Sequence, residues 1–152
     1  QRRQRMGLGI VGALGNLRTK EAVPSLIRCL DRNGTTWAGR SAAEALARLR
    51  PPEAVPALIR IMGDKDEDAR IGAAHALADT RDRRAIPVLL KAMTGDTSSP
   101  VKAIAARGLY RMDKQKSVDW IRDALRTEKD DFPKLEMRSL LRKASICRAH
   151  GS

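Results

Sequence analysis

The chain has 152 residues, of which 30 are Lys or Arg and 18 are Asp or Glu, giving a formal charge of +12. A hydrophobic fraction of 42%, drawn mostly from Ala and Leu, suffices for one buried core and excludes wholesale disorder. No apolar run approaches the roughly 20 residues that span a bilayer, and no charged-then-apolar signal peptide opens the chain, so a soluble, cytoplasmic protein is expected.

Residues 4–31 form the first predicted unit. It opens on Gly7-Leu8-Gly9-Ile10-Val11-Gly12, which matches the G-x-G-x-x-G of dinucleotide sites. A pyrophosphate cradle needs a strand before the glycines and a βαβ unit around them. Neither fits here, so the segment reads as small residues packing a helix. The unit's second helix follows at Ala22-Val23-Pro24-Ser25-Leu26-Ile27, with its proline in the first turn, where the missing N–H costs nothing. Residues 36–63 repeat the plan with Ala45-Leu46 and then Ala54-Val55-Pro56-Ala57-Leu58-Ile59. Residues 67–94 do so with Ala76-Leu77 and Ala85-Ile86-Pro87-Val88-Leu89-Leu90, and residues 99–127 with Gly108-Leu109 and Ser117-Val118-Asp119-Trp120-Ile121. Both motifs return at spacings of 32, 31 and 32, and two motifs sharing one period define a two-helix unit.

The second helices carry apolar stripes at i, i+3, i+4 and i+7, as in Val55, Leu58, Ile59 and Met62. The first helices use small residues, which lets neighbouring helices approach closely. A ninth helix near 133–148 would bury Met137, Leu140, Leu141, Ala144 and Cys147 and is expected to cap the stack. Cys29 and Cys147 lie far apart without partner ligands, which excludes a disulfide framework and a Cys-based zinc module. A start at Gln1 rather than Met is expected of a segment cut from a longer protein.

Asp66-Glu67-Asp68-Ala69-Arg70-Ile71-Gly72-Ala73-Ala74-His75-Ala76-Leu77, followed by Ala85-Ile86-Pro87-Val88-Leu89-Leu90, resembles the HEAT-like repeats of the phycobilisome-lyase type. The resemblance covers about residues 6–127. It implies an all-α, right-handed α-solenoid of about four helix pairs plus the C-terminal capping helix, one domain over residues 1–152. Such repeats occur in chromophore lyases, hydroxylases, nucleic-acid enzymes and scaffolds, so the resemblance specifies fold and leaves function open. The hydroxylase members carry His-Glu dyads, whereas His75 and His150 are not followed by Glu. With no convergent ligand set, no metal or cofactor is expected, and no catalytic residue is assigned.

The charges are more informative. Arg28, Arg60 and Lys91 occupy one slot of successive second helices, opposite the buried stripes, and are expected to form a cationic ladder along a concave face. Trp120 would add an aromatic anchor there, while Asp123 breaks the ladder in the fourth unit. Turns inside the pairs collect bases, among them Arg81, Arg83, Arg84, Lys114 and Lys116, and turns between pairs collect acids. The termini add Arg2, Arg3 and Arg5, and Lys134, Arg138, Arg142, Lys143 and Arg148.

The expected function is therefore a non-enzymatic scaffold that binds an acidic protein partner through Arg28, Arg60, Lys91 and Trp120. The alternatives are nucleic-acid binding through the phosphates along the basic edge, and a bilin lyase or isomerase subunit whose arginines meet tetrapyrrole propionates. An exposed apolar face on the last helix would instead mark one segment of a longer solenoid. Pairing with a second copy is left open.

Overall fold

A computed structural model describes residues 20–33, 37–49 and 51–149. The glycine motif at 7–12, the helix expected around it and the N-terminal arginines lie outside the described residues, as does His150. Among the described residues eight α-helices follow in order: α1 Val23–Asn33, α2 Trp37–Leu49, α3 Val55–Ile61, α4 Glu67–Thr80, α5 Ile86–Gly95, α6 Ser99–Met112, α7 Lys114–Thr127 and α8 Asp131–Ala149. Short 3-10 turns at Lys20–Ala22, Pro52–Ala54 and Arg83–Ala85 lead into α1, α3 and α5.

Local chemistry sets the helix starts. The Asp66 carboxylate accepts the N–H of Asp68 at 2.8 Å and opens α4. Ser98 Oγ accepts from Val101 and opens α6, and Asp113 accepts from Lys116 and opens α7. Pro56 and Pro87 stand in the first turns of α3 and α5, where a helix has no use for their missing N–H.

The core is a file of leucines and alanines. Leu46, Leu77 and Leu109 are fully buried at equivalent places in α2, α4 and α6, and Leu26, Leu58, Leu89 and Ile121 fill the facing positions of α1, α3, α5 and α7. Helices α2, α4, α6 and α8 pack on one another in succession. Small residues make this possible: a Cβ on Gly108 would lie 2.7 Å from the Cβ of Ala78, and one on Gly72 would lie 3.3 Å from that of Ala43.

Each proline-led helix packs against the alanine-rich helix that follows it: α1 with α2, α3 with α4, α5 with α6, and α7 with α8. Helix α7 packs on α6 as well, and helix α8 packs on both of them. Helix α8 buries Met137, Leu140 and Ala144, as expected of the last helix, with Leu141 half-buried. The Cys147 side chain lies outside the described residues.

Candidate functional site

The ladder positions sit where helical projection puts them. Arg28 on α1, Arg60 on α3 and Lys91 on α5 are exposed, and so is Asp123 on α7. Arg28 donates to Ser25 Oγ at 3.1 Å, and Asp123 lies 3.3 Å from the Arg126 guanidinium. Trp120 is half-buried and packs against the core, so only part of its ring is offered to a partner.

The two helix rows are spaced differently. The alanine-rich row packs shoulder to shoulder, whereas the proline-led helices make little direct contact with one another. Along the described second helices there are openings between neighbouring helices. One opening, a cleft of about 230 Å³ between α3 and α5, is lined by Ile59, Met62, Val88 and Ala92 together with Arg60, Lys91 and Asp96. Two of the three ladder cations thus share one cleft with an apolar floor, while Arg28 and Trp120 are not among its lining residues.

Asp96 is held there by Arg70, a residue the sequence reading passed over. Arg70 donates from Nε and Nη2 to the two Asp96 carboxylate oxygens, each at 3.0 Å, and from Nη1 to the backbone carbonyls of Asp64 and Lys65. The hydrogen bond to Asp96 raises the guanidinium pKa against the opposing effect of burial. One pair later, Lys102 donates to Glu128 at 3.0 Å and Asp130 at 3.2 Å. Burial opposes the charge on Lys102, but the bonds to Glu128 and Asp130 outweigh it and raise its pKa. Asp64, Asp96 and Glu128 recur every 32 residues, as do Arg70, Lys102 and Lys134, and that shared spacing is the signal that was available in the sequence. Much of the acidic edge is therefore internal stitching between consecutive turns. Among the described residues no group of three or more His, Cys, Asp or Glu could hold a metal ion.

On the opposite edge Arg81, Arg83, Arg84, Lys114 and Lys116 are all exposed. Arg84 is engaged: it meets the Asp82 carboxylate at 2.7 Å and reaches back to the Pro52 carbonyl at 2.9 Å. The Arg84 hydrogen bonds hold the Asp82 carboxyl below its ordinary pKa. Arg81 ends α4 in the left-handed region, with φ 54°. His75 faces solvent, as expected of its slot. Partial burial first, and the nearby Arg107 second, push its pKa down, against the opposing charges of Asp79 and Glu44.

Stacked helix pairs joined through one continuous core define this chain as an α-solenoid repeat protein. A model of the HEAT repeats matches residues 6–78, 36–109 and 59–142, and the chain belongs to that family. The match is to HEAT repeats in general and does not single out the phycobilisome-lyase type. A comparison with curated proteins finds no match. HEAT repeats commonly mediate protein–protein interaction, and the family is generally non-catalytic. Among the described residues no helix is long and apolar enough to cross a membrane.

Proposed function

We propose that this HEAT-repeat chain is a non-enzymatic scaffold that receives an acidic segment of a protein partner on its second-helix face. The cleft between α3 and α5 is the seat, Arg60 and Lys91 are its charged contacts, and Arg28 and Trp120 flank it along the same row. The observation that supports this reading is the make-up of the cleft, where Ile59, Met62, Val88 and Ala92 lie beside the two cations. Such a site suits an apolar side chain with a carboxylate next to it. The apolar anchor supplies affinity as water is displaced, and the cations set orientation and encounter rate.

The test is fluorescence anisotropy with a labelled acidic peptide carrying one leucine, at about 50 and 200 mM salt. Arg60→Ala combined with Lys91→Ala is expected to weaken binding by roughly tenfold or more. Unchanged affinity in that double variant overturns the reading. A short DNA duplex serves as the competing probe, because Arg81, Arg83, Lys114 and Lys116 are exposed along one edge. Tight duplex binding with a steep salt slope, lost on removing those four and not on removing Arg60 and Lys91, transfers the function to that edge.

A further inference from the structure

The outer face of α8 repeats a surface that is covered elsewhere in the stack. Leu135, Arg138, Leu141 and Arg142 stand 32 positions after Ala103, Ala106, Leu109 and Tyr110 of α6. All four α6 residues are buried, none more than 9% exposed. On α8 the same register leaves Leu135 at 64% exposure, Arg138 and Arg142 exposed and Leu141 half-buried. The four α8 residues line a shallow cleft of about 440 Å³. Phe132 and Ile146, 58% and 60% exposed, prolong the stripe by about a turn at either end. Leucine, isoleucine and phenylalanine exposed along one helix face form an apolar patch of the kind that marks an interaction surface.

We infer that this face docks an amphipathic helix of a partner protein, which lays an apolar stripe over Leu135 and Leu141 and sets carboxylates against Arg138 and Arg142. The repeat itself argues for a helical occupant, since the equivalent face of α6 is already buried within a stack of helices. Charge argues for an acidic one. Arg138, Arg142 and Lys143 are exposed on α8, and the neighbouring carboxylate of Glu136 is already engaged by Arg107 at 3.0 Å. A second copy presenting the same face would bring these arginines against their own counterparts, which disfavours self-pairing. The inference does not depend on the cleft between α3 and α5.

The probe is a labelled synthetic helix of about 18 residues, five turns, with a leucine stripe flanked by glutamates. It is titrated into the full chain by anisotropy, with light scattering to fix the chain's own oligomeric state. The peptide is expected to bind a monomer. In a background carrying Arg60→Glu with Lys91→Glu, so that the cleft between α3 and α5 does not compete for the acidic peptide, Leu135→Glu, and separately Arg138→Glu with Arg142→Glu, should each weaken binding by about tenfold or more. A control peptide with lysines replacing the glutamates should not bind, a readout that needs no variant to fold. No binding by the chain lacking Arg60 and Lys91 overturns the proposal, as does binding there that neither α8 variant weakens. A wild-type dimer that Leu135→Glu dissociates also overturns it, in favour of a second copy.

Discussion

The guanidinium of Arg70 closes a two-bond pair on the Asp96 carboxylate across the junction of consecutive helix pairs, with both contacts at 3.0 Å. Their side chains are 11% and 8% exposed, so removing either partner strands a charge with little access to water. Arg70→Ala is expected to cost about 2–4 kcal/mol, because the carbonyls of Asp64 and Lys65 also lose their donor. Asp96→Ala should cost a similar amount. Urea unfolding of both single variants and the double should give a coupling above about 1 kcal/mol. Coupling near zero would rank the pair with exposed salt bridges that contribute nothing measurable.

Two glycines separate packing from backbone freedom. A methyl group on Gly108 would fall 2.7 Å from the Ala78 Cβ and 3.2 Å from its Cα, so the α4–α6 contact must open to admit it. Gly108→Ala is expected to destabilise by about 1–3 kcal/mol. A Cβ on Gly95, at the end of α5, meets nothing within 4 Å. Gly95→Ala should therefore be neutral or stabilise by up to about 1 kcal/mol, through lost freedom in the unfolded chain. Thermal melts of the two variants side by side check the contrast, and equal shifts would contradict it.

The helices, their period and most of the core were legible in the sequence because they follow from local rules. Pro24, Pro56 and Pro87 mark helix starts, and the leucines and alanines repeat on one face. What stayed hidden depends on relations between repeats. The period could not say that α7 packs on both α6 and α8, since that depends on how the turns bring helices together. Arg70 and Lys102 lay within a long roll of basic residues, and only their spacing relative to Asp96 and Glu128 distinguishes them from solvated charges. Curvature was unreadable for a similar reason. It depends on how the two rows of helices are spaced, a relation between repeats that no single helix states. Leu135 was passed over because a side chain's exposure depends on what packs over its helix, which the helix's own periodicity does not state.

Acid should loosen the packing of α6 against the turn that leads into α8. Burial opposes ionisation of Glu128, but the Asp130 N–H, the Lys102 ammonium and the Lys129 N–H outweigh it and hold the carboxyl below its ordinary pKa. Asp130 is lowered as well, by its hydrogen bonds from Lys102 and Ser99. A carboxyl depressed in the fold takes up protons later than it does in the unfolded chain. Its stabilisation is complete above the ordinary carboxylate range and is lost as pH falls below about 4. His75, lowered by partial burial, adds an earlier loss as pH falls through the ordinary imidazole range. Lys102 is raised, so its contribution persists to strongly alkaline pH. Denaturant midpoints measured from pH 7 down to about 3 should fall in the wild type and fall less in Glu128→Gln. Parallel curves would show that Glu128 does not carry the acid sensitivity.

Arg81 tests whether the basic edge has a use beyond folding. It holds φ 54° at the end of α4, a conformation that glycine adopts freely and that costs a residue bearing a Cβ. Arg81→Gly should stabilise the chain by about 0.5–1 kcal/mol, the relieved strain being partly offset by the greater freedom of glycine in the unfolded state. Arg81→Asn, which tolerates the same region, should be close to neutral in stability while also removing the charge. Binding of a DNA duplex by the two variants then isolates the charge from the fold. If both lose affinity together while Arg81→Gly is the more stable protein, the arginine is kept for its charge. Full affinity in both variants leaves Arg81 as an ordinary helix terminus, with the second-helix face and the end of α8 as the surfaces where binding is expected.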